Sequence, residues 1–210
     1  MPAKRKSSSI SPDSYIHHTA LVSETAQVGS GTKIWAFAHL REQSVIGSDC
    51  VVGMGAYIGQ DVRVGSRVKI ENGAYLFEGT FVEDGVFIGP RAMVTNDRFP
   101  RAVRRDGAPK GKLDWTMLNT RIAYGASLGA GAIVVGGVRI GRFAMVGAGA
   151  LVNRDVPSFG LVVGVPARLL TYVCACGASQ PEGVKPGGSL TKCSICGEAP
   201  FPVSARGATR

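Results

Sequence analysis

The sequence predicts an all-β chain: a left-handed parallel β-helix of six to seven coils, interrupted by one external loop and followed by a small cysteine-bearing C-terminal segment. Three observations predict it. An aliphatic residue recurs at every sixth position over most of the chain, the composition is rich in glycine and poor in charge, and four of the five cysteines fall in two pairs near the C-terminus.

The repeat begins at Ile16. Steps of six reach Val22, Val28, Ile34, Leu40, Ile46, Val52, Ile58, Val64, Ile70, Leu76, Val82, Ile88 and Val94, and a second run follows at Ile122, Leu128, Val134, Ile140, Val146 and Val152. Two residues before each stands a small residue or a valine, as at Ala26, Ala38, Ala56 and Val62. A period of six matches neither the 3.6 of an amphipathic helix nor the sustained alternation of an ordinary half-buried strand. It matches short strands joined by tight turns, the aliphatic side chain pointing to an axis and the small residue fitting where the chain turns a corner. Three faces make a triangular coil, and coils stack at about 4.8 Å.

Between Val94 and Ile122 the register breaks. Continuing it would put Pro100, Asp106 and Lys112 in the core, so a segment of about 22 residues, near 95–119, must leave the coil as an external loop. That loop is basic, with Arg98, Arg101, Arg104, Arg105, Lys110 and Lys112 against Asp97, Asp106 and Asp114. The expected organisation is a basic mobile tail at 1–13, a β-helix domain at 14–168 and an extension at 169–210.

Composition narrows the function classes. A chain of 210 residues with 45% hydrophobic content is not disordered as a whole, and no stretch reaches the apolar length of a membrane span. Its 29 glycines lack the strict third-residue spacing of collagen. The net charge of +9 suits an anionic small molecule as well as nucleic acid; the basic residues gather in the loop, and no nucleic-acid role is expected. The basic start, Met1 to Ser9, lacks the apolar run of a secretory signal, so a cytoplasmic location with reduced thiols is expected.

The cysteines are then better read as metal ligands than as disulfides. Cys174-x-Cys176 and Cys193-x-x-Cys196 form two pairs, each followed by glycine (Gly177, Gly197), and four thiolates close a tetrahedral zinc site. The second pair has ordinary knuckle spacing and the first is one residue short of it. A zinc-ribbon-like segment this rich in Gly and Pro has no core, so a structural Zn2+ would supply its folding energy; the alternative is a tail with free thiols. Cys50 falls at a small inward corner position.

Three longer stretches are more specific than the period: Lys69-Ile70-Glu71-Asn72-Gly73; Glu83 to Pro90, leading to Thr95-Asn96-Asp97-Arg98-Phe99-Pro100-Arg101; and the closing segment from Ala144 to Arg168. With them, residues Ile16 to Arg168 resemble the hexapeptide-repeat acyltransferases. Within that family the chain is similar to N-acetyltransferases of nucleotide-linked amino sugars, chiefly those acting on UDP-2-acetamido-3-amino-2,3-dideoxy-glucuronate, then those using dTDP-3-amino sugars. The resemblance implies acetyl-CoA as cosubstrate, a UDP- or dTDP-linked amino sugar as acceptor, a role in surface polysaccharide synthesis, and a homotrimer whose clefts lie between neighbouring helices. Ala36 stands where such enzymes often have His, and Phe77 where Tyr is frequent.

Acetyl transfer from a thioester to an amine needs a neutral amine, a held carbonyl and donors for the developing oxyanion. No Ser-His-Asp set is on offer: the only histidines are His17, His18 and His39, and no Gly-x-Ser-x-Gly occurs. The resemblance makes Asn72 the residue that orients the sugar amine or the acetyl carbonyl; Glu78, projecting from the next corner, is a candidate to accept a proton or bind a sugar hydroxyl, and His39, projecting outward beside a core leucine, a candidate base. Asn96, Asp97, Arg98 and Arg101, with Phe77, are assigned to the nucleotide sugar, since a guanidinium fork suits a pyrophosphate or a carboxylate. Coenzyme A is expected along the later coils, touching Gly136, Gly137 and Ala148, with Arg142, Arg154 and Arg168 for its phosphates. Two other readings are an acetyltransferase for a different small acceptor (serine, a free sugar, an antibiotic) and a non-catalytic hexapeptide scaffold.

Overall fold

The structure, a computed structural model, describes residues 9–111, 113–187 and 192–201. Lys4-Arg5-Lys6 of the N-terminal tail and Lys112 of the loop lie outside the described residues. Among those described there are strands and turns and no helix, and no helix long and apolar enough to cross a membrane.

Most strands are two residues long, because each hexad has only two extended positions before its corner. They form three parallel sheets, one per face. The first face runs from Ser9–Ile10 to Arg139–Ile140, the second from Tyr15–Ile16 to Gly160–Gly164, and the third from Leu21–Val22 to Leu151–Val152. The sequence steps read as hexads become lateral neighbours one coil apart: Val64 pairs with Val82, Ile70 with Ile88 and Leu76 with Val94. Across the loop the pairing resumes without a gap, Val82 against Ile122. The aliphatic residues meet on the axis, where Ile34, Leu40, Ile58, Ile70, Leu76, Ile88, Ile122, Leu128 and Ile140 are wholly buried. The small residues fill the corners, as Ala38, Ala56, Ala74 and Ala92 do.

Stacking at this spacing limits the corners. At Gly47 a Cβ would stand 2.5 Å from the Gly65 carbonyl, so only glycine lets the coils close. Side chains also stitch the corners: Thr19 Oγ1 accepts the Phe37 N–H at 3.2 Å and Thr25 Oγ1 the Gln43 N–H at 3.0 Å, steadying two residues of positive φ.

The coils extend beyond both ends of the repeat read from the sequence. Ser9–Ile10 pairs with Gln27–Val28, so the first coil starts at residue 9 rather than 14; Ile10 is one more hexad step before Ile16. After Val152 the step shortens to four and Val156 bridges to Ile140; it then returns to six, and Val162 pairs with Val146. Among the described residues the first and third faces each carry seven strands, and the second gains an eighth parallel strand, Gly160–Gly164. The helix thus slightly exceeds the six to seven coils expected. An antiparallel strand, Ala167–Tyr172, closes the second face.

Candidate active site

The candidate residues divide between two corners of the prism that flank the third face. Residues 71–74 join the second face to the third, and there Asn72 projects outward, exposed. Its Oδ1 accepts the Met54 N–H of the preceding coil at 2.8 Å, leaving the Nδ2 side of the amide to act as donor. Ala148 lies on this same corner in a later coil, where its backbone packs against Gly129.

The other corner joins the third face to the first and carries Phe77 and Glu78, the external loop, and Gly136-Gly137. Glu78 is half-buried; Gly79 beside it sits against Leu118 and Asn119 of the returning loop, and its carbonyl accepts the Thr120 N–H at 2.9 Å. Phe77 joins an aromatic cluster instead of standing alone, its ring 5.6 Å from Tyr57 and stacked on Tyr75 at 6.4 Å. His39 meets Tyr57 edge-on at 5.6 Å, on the outer surface of the third face.

The loop is braced from within. Arg104 and Lys110 N–H groups donate to the Ala108 and Ala102 carbonyls, making a small hairpin, and the Leu118 N–H donates to the Asn96 carbonyl at 3.0 Å, closing its root. Its acidic residues serve this bracing: Asp97 accepts from the Phe99 N–H, Asp106 from the Ala108 N–H and Asp114 from the Gly111 N–H. Arg104 joins this bracing, pairing with Asp106 at 3.4 Å and Asp114 at 3.8 Å, while Arg98, Arg101 and Arg105 are exposed. Two hollows result. One, of about 550 Å³, is lined by Asn96, Asp97, Arg101, Lys110 and Trp115. The other, of about 460 Å³, is lined by Asp97, Arg98, Phe99, Lys110, Trp115 and Leu118. Of the four loop residues expected at the nucleotide sugar, Asn96 and Arg101 line the first hollow, Arg98 the second and Asp97 both. Sequence reasoning missed Trp115, one of only two tryptophans in the chain, whose signal was its isolation in a polar loop.

Other candidates land differently. The N–H groups of Gly136 and Gly137 are already accepted by Thr95 Oγ1 at 3.1 Å and Thr120 Oγ1 at 3.0 Å, so these glycines hold the loop root and offer a ligand only their surfaces. Arg142 lies on the third corner, over the Tyr124 ring, Arg154 follows the last strand of the third face, and Arg168 lies in the closing hairpin. These three do not form a single cluster along the coils. The Glu83-Asp84 pair is structural: Glu83 grips Arg121 through Oε1 and the Tyr124 N–H through Oε2, bridging the two sides of the insertion, while Asp84 accepts the Ser66 N–H and pairs with Arg67. A further open groove of about 570 Å³, along Arg63, Phe81, Asn119 and Arg121, contains none of the expected site residues.

The profile of the bacterial transferase hexapeptide (six repeats) matches residues 43–77. A protein of Aneurinibacillus thermoaerophilus, named as a dTDP-3-amino-3,6-dideoxy-alpha-D-galactopyranose 3-N-acetyltransferase, is 49% identical over 169 residues, which is 80% of this chain and 83% of that protein. This chain belongs to the hexapeptide-repeat acyltransferases. A serine acetyltransferase of Escherichia coli K12 is 32% identical over 100 residues, covering 47% of this acyltransferase and 33% of that enzyme. Among solved structures, a hexapeptide-repeat acetyltransferase from Vibrio cholerae complexed with acetyl coenzyme A superposes with a TM-score of 0.52 at 24% identity, over 60% of this acyltransferase and 69% of that chain. That likeness bears on the fold alone.

Away from this site, the sulfurs of Cys174, Cys176, Cys193 and Cys196 all lie within 4.8 Å of one another. Burial pushes the Cys174 thiol up to about 12, whereas hydrogen bonds from the Cys196 and Ile195 N–H groups pull Cys193 down to about 6.

Proposed function

We propose that this acyltransferase moves acetyl from acetyl-CoA to the amino group of a dTDP- or UDP-linked amino sugar used in glycan synthesis. The observation that carries the reading is the 49% identity to the dTDP-amino-sugar N-acetyltransferase, which spans both the coils and the loop. The serine acetyltransferase likeness is confined to less than half of the chain, which disfavours a serine acceptor.

In the reaction the neutral sugar amine attacks the thioester carbonyl, a C–N bond forms as the C–S bond breaks, and the amine proton leaves as coenzyme A departs as its thiol. The side chains suit positioning more than proton transfer. Arg98, Arg101 and Lys110 provide cations for the pyrophosphate and Trp115 a flat apolar surface beside them. Asn72 has an amide N–H to offer the acetyl oxygen or the sugar. A single chain separates Asn72 from the loop by the width of the third face. That face is apolar, with Leu21, Tyr57, Tyr75, Met93, Ile133 and Leu151 pointing outward, and the loop bears Leu113, 100% exposed, and Phe99, 78% exposed. A cyclic homotrimer would cover these residues and bring the Asn72 corner of one protomer to the loop of the next. The remainder of the proposal is a cytoplasmic location and a structural Zn2+ on the four C-terminal cysteines.

The test is incubation with acetyl-CoA and a panel of acceptors, reading thiol release and the acetyl mass gain of the product. Turnover of dTDP- or UDP-3-amino sugars with none of serine supports the reading; turnover of serine or free sugars alone overturns it.

A further inference from the structure

We infer that Cys174, Cys176, Cys193 and Cys196 bind one Zn2+ per chain, and that this ion latches the C-terminal segment onto the last coil, closing the open end of the β-helix. The inference deepens the zinc reading above and does not depend on the transferase reading.

The sulfur geometry comes first. The short distances run crosswise between the two pairs, 3.7 Å from Cys174 to Cys196 and 3.8 Å from Cys176 to Cys193. Disulfide sulfurs sit at about 2.05 Å, so these are separate thiols. A tetrahedron of sulfurs around Zn2+ at about 2.3 Å has edges near 3.8 Å, which the two crosswise distances match, with all the sulfurs within 4.8 Å of one another. The backbone is shaped to the same end. The Gly177 N–H donates to the Cys174 carbonyl at 2.8 Å and the Gly197 N–H to the Cys193 carbonyl at 2.9 Å, both glycines at positive φ, so each cysteine pair sits on a similar turn although one is a residue shorter.

The second step is where the segment goes. Phe159, in the last coil, stacks on Phe143 at 5.3 Å on its inner side and takes the Phe201 ring at 5.2 Å on the other. The Val173 N–H donates to the Phe159 carbonyl at 2.7 Å, and the Ala175 N–H to the Pro200 carbonyl at 3.0 Å, tying both arms of the segment to the coil and to each other. Phe159 and Phe201 are each 8% exposed. The last coil of a solenoid needs such a cover, since otherwise it leaves an apolar end and unpaired strand edges.

Among the described residues, the Tyr172 ring 6.4 Å from Phe201 and the Thr171 hydroxyl, donating to the Gln180 carbonyl at 3.1 Å, add to these ties. Two of the few buried side chains it contributes are the ligands Cys174 and Cys193, free thiols of which Cys193 accepts a hydrogen bond from Gln180 Nε2 at 3.7 Å. With the ion, up to four S–H bonds break, four S–Zn bonds form and the protons pass to solvent; the crosswise pairing then links the strand leaving the hairpin to the arm carrying Phe201.

The experiment uses the full chain purified without chelator, the same chain after chelator treatment, and the double variant Cys176→Ser/Cys196→Ser. Zinc is counted by elemental mass spectrometry, Co2+ is substituted to read its visible spectrum, and hydrogen exchange is followed at Val173 and Ala175, with amides of the strands Lys69–Ile70 and Tyr75–Leu76 as an internal measure of an intact helix. Expected are one zinc per chain, the bands of a tetrahedral tetrathiolate Co2+ complex, and exchange at Val173 and Ala175 at least tenfold faster without metal while the internal strands stay protected. Zinc well below one per chain with no cobalt spectrum overturns the site. A full complement of zinc whose removal leaves Val173 and Ala175 unchanged overturns the latch. Thiol release from acetyl-CoA on the zinc-loaded sample tests the transferase reading separately.

Discussion

Substitution of Asn72 separates the two tasks its amide can perform. Its oxygen supports the fold: Oδ1 accepts the Met54 N–H at 2.8 Å, and Gly53 makes room for it, since a Cβ there would lie 2.7 Å from that oxygen. On the corner between the first and second faces, Asp84 accepts the Ser66 N–H at 2.9 Å and the Ser66 hydroxyl accepts the Ser48 N–H at 3.1 Å. Any short acceptor therefore serves the corner, whereas the Nδ2 donor is needed only for chemistry. Asn72→Ala removes one exposed side chain-to-backbone hydrogen bond, a loss of about 1 kcal/mol. Asn72→Asp and Asn72→Ser keep an acceptor oxygen and stay within ~0.5 kcal/mol of wild type by urea denaturation. Asn72→Ala and Asn72→Asp remove the donor, whereas Asn72→Ser keeps a hydroxyl donor on a shorter side chain; losing a donor to the developing oxyanion lowers kcat by roughly 10²–10³-fold, equivalent to about 3–4 kcal/mol. Rates come from thiol release with saturating acetyl-CoA; the neutral Ala variant guards against an effect of added charge. Wild-type kcat/KM in both Asn72→Ala and Asn72→Asp would refute the reasoning and leave Asn72 as a corner residue.

Four further outcomes are expected. Ile70→Ala, which empties a wholly buried site between Val52 and Ile88, costs ~4 kcal/mol in urea denaturation and Ile70→Val ~1 kcal/mol; equal costs would mean that the axis is not close-packed. Gly47→Ala forces a Cβ onto the Gly65 carbonyl and destabilises by about 1–3 kcal/mol, measurable as a lowered Tm. Trp115→Ala and Arg101→Ala raise KM for the nucleotide sugar by roughly tenfold, with little change in KM for acetyl-CoA, as fits a lost contact of about 1.4 kcal/mol; an equal rise in both would detach the loop from acceptor binding. Hydroxyls of Ser11 and Ser30 donate to Asp13 and hold its carboxyl below the ordinary 3.8. Its contribution to the first coil is therefore complete above that value and fades as the pH falls through the lower, folded one, and Asp13→Asn removes this acid dependence of amide exchange near Ile10.

The periodicity determined the β-helix by itself, because every sixth side chain has one place to go once three two-residue strands make a turn; Ile34, Ile70 and Ile122 were readable as axis residues without coordinates. The loop was legible for the converse reason, since Pro100 and Asp106 cannot occupy that axis. The cysteine pairs announced a cluster, and the structure brings their sulfurs together. What the period could not convey was which corner each outward residue occupies, for that depends on counting coils modulo three faces. Only the tertiary structure placed Asn72 and the loop on opposite edges of the third face, and only it showed the Gly136 and Gly137 N–H groups already taken by Thr95 and Thr120. Trp115 came to line the same hollow as Arg101 through the fold of the loop, and Glu83 gained its hold on Arg121 through a contact between residues that the insertion separates in sequence. A local pattern dictates which way a side chain points along its own strand; what it then meets is decided by stacking, which joins residues 18 or 40 positions apart.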